Sequence, residues 1–332
     1  MYFFRREKVQ CRYQFSLRDA VDSTLLQRAL TTALASAPYY TQRLVQEKRE
    51  MWLEPNTEPC LVCHGSTMRN IPEETNGYLF CVSCEGDTIY FDWHHFLLDG
   101  HGVSPLFTSI LEQYCNLRYG TAFAVQQIVC DPPYDMDAML AEHPPVEGGS
   151  DAIQRDVVQT YEGTLRRTRV CLSKQSLVEK ALANNAKPVS ALMGLLCMAM
   201  REYLSKEKIQ YSYSSDTRDV AGVPNALYNC VCSFEHTVQL QAQTRLADFI
   251  SDVDADIKRD LQPQSKRRRM TEQMGWVYKV NQQKAPLRIK QRVFQMGEYI
   301  GGTISDFWLS YLGNPLMPAT PELAQYTTDF GV

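Results

Sequence analysis

No stretch of this 332-residue chain is apolar for long. The longest such run, Ala191–Met200, is ten residues, against the ~20 that a bilayer-spanning helix needs. No secretory leader is expected either, because Arg5, Arg6, Glu7 and Lys8 put charge where a signal peptide requires an apolar core. The chain therefore reads as intracellular and cytoplasmic, without a membrane span. It also lacks an excess of charge of either sign. The 34 basic and 38 acidic residues leave a formal net charge of −4, which gives no whole-protein attraction to nucleic acid or to an anionic surface. No nucleic-acid partner is expected. An even cysteine framework is absent too: the count is 11, and a chain this long can fold without disulfides. Most of these thiols are expected to be reduced and to act as small buried hydrophobes. Histidine is scarce, with 6 in all, so two adjacent histidines carry information.

With 44% hydrophobic and 22% charged residues, the chain has an ordinary globular composition, and its length suits two lobes. Val9, Cys11, Tyr13 and Phe15 alternate with polar residues as a half-buried strand. Leu25, Leu26, Ala29, Leu30, Ala33 and Leu34 then recur at helical spacing after Asp22-Ser23. Two strands, 77–84 and 88–95, flank a tight turn at Glu85-Gly86-Asp87. A helix follows, with Ser104 as its expected cap and Pro105 at its first position. Prolines and glycines crowd residues 131–150 and mark a surface crossing. Beyond it, helices are expected from Ser173 and Ser190, strands around Ile209–Ser215 and Tyr228–Phe234, and an amphipathic helix over Leu246–Leu261. This pattern gives an N-terminal lobe over 1–130, a linker or crossover over 131–165 and a C-terminal lobe over 166–332.

The most specific signal is His94-His95-x-x-x-Asp99-Gly100. His95 ends a strand on its apolar side, just before the chain turns and enters a helix. A histidine fixed there can present its ring rigidly to a cleft, as general base catalysis requires.

These residues resemble the chloramphenicol acetyltransferase-like superfamily, which includes alcohol acetyltransferases, plant BAHD acyltransferases and the condensation domains of peptide synthetases. Further stretches are similar in family order: Pro38-Tyr-Tyr-Thr-Gln-Arg43-Leu44, then Ser215-Asp216-Thr217-Arg218 with Asn229 following, then Leu309-Ser310-Tyr311-Leu312-Gly313. The resemblance implies an α/β fold (an α+β two-layer sandwich) of two similar lobes, a pseudo-dimer with a tunnel between them. It implies acyl transfer from a coenzyme A or carrier-protein thioester to an alcohol or amine. His95 would be the base and His94 its neighbour in the active-site loop. Asp99 and Gly100 would shape that loop, with Arg218 pairing Asp99 and Ser310 as the oxyanion or tunnel residue. No permanently bound cofactor is implied, since the acyl-CoA or phosphopantetheine thioester is a co-substrate. The partners would be a small-molecule acceptor and an acyl carrier protein, and the enzyme would work as a monomer. Relatives continue for many tens of residues after the strand at Gly313, so the C-terminal lobe is expected to be incomplete. Asp329-Phe330-Gly331 matches part of a BAHD signature by coincidence.

Two rival readings come from other classes. One is a catalytically inactive condensation-like remnant serving as an interaction module. The other is a zinc-binding protein, because Cys60-x-x-Cys63 and Cys81-x-x-Cys84 have zinc-ribbon spacing. Against zinc, Cys81 and Cys84 fall within a predicted strand, where positions three apart face opposite sides. The run Lys266-Arg267-Arg268-Arg269 reads as a solvated loop.

Overall fold

A computed structural model describes residues 9–144, 170–301, 305–311 and 321–331. Much of the expected crossing, 145–165, and the Leu312-Gly313 step lie outside the described residues.

The first sheet is built from β1 (Gln10–Leu17), β4 (Cys63–His64), β5 (Phe80–Glu85), β6 (Thr88–His94) and β10 (Thr327–Gly331), in the order β10-β1-β6-β5-β4. All its pairs are antiparallel except β4–β5. Alternation in β1 turns Tyr13, Phe15 and Leu17 inward, where α1 (Ser23–Ala35) and α2 (Gly100–Tyr119) cover them. Phe107 of α2 packs edge-on against Phe15 and Phe91, with ring centroids 6.1 and 5.6 Å apart. Burying such an aromatic is worth about 3–5 kcal/mol against alanine. β2 (Gln42–Gln46) and β3 (Met51–Pro55) form a separate hairpin. A short helix, α3 (Met136–Glu142), follows.

The second unit has α4 (Lys174–Ala183), α5 (Pro188–Leu204), β7 (Lys208–Asp216), α6 (Arg218–Ala221), β8 (Val231–Gln239) and α7 (Leu246–Asp260). It continues with α8 (Pro263–Gln282), α9 (Leu287–Gly301) and β9 (Phe307–Leu309). Its sheet runs β8-β7-β9, antiparallel then parallel. Met193 and Cys197 of α5 with Phe249, Val253 and Ile257 of α7 cover the face formed by Ile209, Tyr211 and Tyr213.

Three local expectations change. Helix α2 begins at Gly100, capped by Asp99 rather than Ser104, because the Asp99 carboxylate accepts from Gly102 N–H at 2.8 Å. Lys266–Arg269 is not a loop: Pro263 opens α8, and the run lies within it. Lys266 is buried beside Asp219, and Arg269 reaches Glu235 at 2.7 Å. Residues 327–331, read with the second lobe, run back to the first sheet as β10, where Phe330 meets Tyr13 at 5.3 Å. Apolar burial beside β1 holds this strand there.

Candidate active site

The strand β6 ends at His94, and His95 is the first residue of the turn beyond it. His94 is buried; its Nδ1 accepts the Phe96 N–H at 3.1 Å, so it holds the turn together. His95 is half-buried and anchored by its own N–H, which donates to the Val9 carbonyl at 2.9 Å. Leu97 and Leu98 sink into the core behind it.

Four aromatic side chains pin the loop from below. Tyr39 Oη donates to Leu97 O (3.1 Å), Trp93 Nε1 to Leu98 O (3.1 Å), Tyr13 Oη to Gly100 O (3.2 Å) and Tyr40 Oη to Gly102 O (2.6 Å). Burial raises the pKa of all three tyrosines, so they stay protonated and able to donate. Sequence reading missed this set, although Tyr39 and Tyr40 stand in the Pro38–Leu44 stretch.

The second unit meets this loop through residues 217–231. Asp99 Oδ1 accepts from Arg218 Nη2 at 3.0 Å, and its Oδ2 accepts the Cys230 N–H at 2.8 Å. Arg218 spends its remaining donors on Asp216 and on the carbonyls of Ala226 and Tyr228. Its desolvation is opposed by Asp99 and Asp216, and the balance moves its pKa upward. The carboxylate therefore faces a structural role, with three donors occupying its two oxygens.

Gly100 opens α2, but the crowded position is Gly102. A Cβ there would lie 1.8 Å from the Leu227 carbonyl oxygen. The helix start and the 226–231 segment can approach so closely only because residue 102 has no side chain.

Asn229 closes the site. Its Nδ2 lies 3.0 Å from His95 Nδ1 and donates to the His95 carbonyl at 3.2 Å. The ring is thus held through Nδ1, which directs proton chemistry to Nε2. With Nδ2 at Nδ1 the ring proton sits on Nε2; turning the amide so that Oδ1 meets Nδ1 would move that proton to Nδ1 and free the Nε2 lone pair, at the cost of the bond to the His95 carbonyl. Asn229 was visible in the sequence only by its distance from Arg218. His101 sits at the exposed rim, 3.6 Å from Asp216. Ser310 is exposed just past β9, whose Leu309 pairs with Tyr213.

The four cysteines of the two pairs do not converge on one point: Cys81 approaches Cys60 and Cys63, and Cys84 does not. Cys81 lies opposite Asp92 and Cys84 opposite Ile89, so they occupy the two faces of β5. Cys81 neighbours Cys63, and burial chiefly drives its pKa upward. Among the described residues no three His, Cys, Asp or Glu side chains are grouped to hold a metal ion. Nor, among those residues, is any helix long and apolar enough to cross a membrane.

Scanned against models of known families the sequence matches none, and no curated protein matches it. Solved structures do match in shape. Polyketide synthase associated protein 5 from Mycobacterium tuberculosis aligns with a TM-score of 0.62 at 17% identity, over 97% of this chain and 82% of that one. The first condensation domain of the CDA synthetase gives 0.51 at 14% identity, over 77% and 69%. F. sporotrichioides TRI101, complexed with coenzyme A and T-2, gives 0.52 at 9% identity, over 91% and 79%. The chain therefore has the mixed α/β fold of these structures, a condensation domain among them.

Proposed function

We propose that the protein transfers an acyl group from a thioester to an alcohol or amine, with His95 as general base. The observation that carries this reading is the His95–Asn229 contact across the two units, on a loop whose only carboxylate, Asp99, is already consumed by structural donors. That arrangement supports His95 as an oriented imidazole at the turn.

The reaction needs little more. His95 Nε2 takes the proton from the acceptor O–H or N–H, and the freed nucleophile attacks the thioester carbonyl carbon. The tetrahedral oxyanion collapses, breaks the C–S bond and expels a thiolate, which takes the proton back from the imidazolium. A thioester is already activated, so a base and an oxyanion donor suffice; Ser310 is the candidate donor. The base role requires the Asn229 amide to present Oδ1 to Nδ1.

The thioester is a co-substrate, carried by coenzyme A or by the phosphopantetheine arm of a carrier protein. A neighbour in fold holding coenzyme A supports the first source, and one associated with a polyketide synthase supports the second. In this reading the protein acts as a cytoplasmic monomer on a small-molecule acceptor. The test is acceptor-dependent thiol release from acyl-coenzyme A and acyl-carrier panels, followed by chromatography. A loss of about 100-fold or more in His95→Ala is the expected result. Equal release by both proteins would remove His95 from the role.

A further inference from the structure

Three cationic side chains are buried among the described residues: Arg218, Lys266 and Lys290. Arg218 has Asp99 and Asp216, and Lys266 has Asp219. Lys290, on α9, is 6% exposed, and its ammonium bonds to the neutral carbonyl of Asn281. No carboxylate among the described residues lies within ion-pair distance of it. An ammonium withdrawn from water without a counter-charge is costly, so its surroundings are informative.

Lys290 lines a cleft of about 720 Å³ between the β2–β3 hairpin and the α8–α9 connection, bounded also by Arg49, Trp52 and Lys284. That volume falls within the roughly 300–1,000 Å³ of small-molecule pockets. The hairpin is tied to the connection by Leu287 N–H, which donates to the Lys48 carbonyl at 3.0 Å. Among the described residues, Arg49 and Lys284 likewise have no carboxylate partner. Among the described residues Glu50 is the one acidic side chain on the cleft wall, where three cations face it. Trp52 adds a planar indole that is 39% exposed. In a chain of net charge −4 this is a local reversal of sign beside an aromatic plate.

We propose that this cleft binds a phosphorylated nucleotide, with its phosphates on Lys290, Lys284 and Arg49 and its base against Trp52. Phosphate supplies the counter-charge that Lys290 lacks, and a purine stacks on an indole without sequence-specific contacts. None of the residues lining the cleft belongs to the set around His95, so either reading can hold without the other.

Calorimetric titration at low salt with ADP, coenzyme A and inorganic pyrophosphate tests it. The whole chain should bind ADP and coenzyme A, more weakly as salt is raised. Lys290→Met should weaken all three probes at least tenfold. Because that position is buried, the exposed pair Arg49→Gln/Lys284→Gln serves as the second variant, with a loss of the same direction. Trp52→Ala should weaken ADP about tenfold and leave pyrophosphate unchanged. Glu50→Gln should tighten all three, and His95→Ala should bind as the unmodified chain does. Absence of ADP and coenzyme A binding at about 1 mM, or unchanged binding in the Arg49/Lys284 variant, would overturn the site. ADP binding indifferent to Trp52→Ala would overturn the nucleotide assignment. ADP bound by a protein that releases no thiol from any donor would uphold this site while defeating the acyltransferase reading.

Discussion

Asp99 and Arg218, 119 positions apart in the chain, share a 3.0 Å hydrogen bond, and neither side chain is more than 4% exposed. The pair joins the turn that follows His95 to the second unit. Removing one partner strands a buried charge, so Asp99→Ala or Arg218→Ala should each cost about 3–5 kcal/mol. Arg218→Lys should rescue little, because the planar fork also serves Asp216 and two carbonyls. Urea unfolding of both single variants and the double variant measures this. A double variant as unstable as the sum of the singles would show that the pair is not coupled.

Asn229 contacts His95 at Nδ1, the ring nitrogen that the proposed mechanism does not use for proton transfer. Asn229→Ala should lower kcat about tenfold or more while KM changes little. Asn229→Asp fixes the proton on Nδ1 and favours the imidazolium, so the acidic limb of kcat/KM should move to higher pH by about one unit. A pH–rate profile reads both effects. An unmoved limb in the aspartate variant would mean that the contact does not orient the base.

Gly102→Ala should be among the most damaging small substitutions in the chain. The new methyl would collide with backbone rather than with a movable side chain, and the expected loss is about 3 kcal/mol or more. Thermal unfolding measures it, and the neighbouring Gly100→Ala is the comparison. A stability loss in Gly102→Ala no larger than that of Gly100→Ala would mean that the approach to Leu227 is not constrained by this position.

The buried thiols make stability fall at alkaline pH. Cys197, Cys230 and Cys232 are each pushed up to about 12, chiefly by burial, from an ordinary 9.0. The folded chain keeps these protons where the unfolded chain releases them. The contribution is therefore complete below pH 9 and lost as pH rises toward 12. At pH 10 each thiol should account for about 1 kcal/mol. Urea midpoints in reducing buffer at pH 7.5, 9 and 10 should be level and then fall. In the native protein at pH 8, an alkylating reagent should reach the exposed Cys171 well before these three.

The parts of this site that the residues alone made legible are contiguous, whereas the Arg218–Asp99 pair was expected only from the family resemblance. His94, His95, Asp99 and Gly100 sit within seven positions, and the strand before them and the helix after them announce themselves by periodicity and punctuation. Within that window the cap was misassigned, because Ser104 and Asp99 are both good caps and only the Asp99–Gly102 hydrogen bond separates them. The polar tips of Tyr13, Tyr39, Tyr40 and Trp93 were not legible at all. Alternation shows that such a ring is buried, but not which carbonyl its hydroxyl or N–H will find. The basic run at 266–269 was misread for a related reason. Charge suggests solvent, and its partners Asp219 and Glu235 lie more than thirty positions away.

Local chemistry along the chain determined the strand, the turn and the helix around His95, because caps, alternation and turn residues act over a few positions. The tertiary structure decided the rest. It set Asn229 against His95 and Arg218 against Asp99, returned β10 to the first sheet, and left Lys290 facing a cleft without a counter-charge. Those outcomes depend on which buried groups meet across the core, and burial energies are settled only when the whole chain has packed.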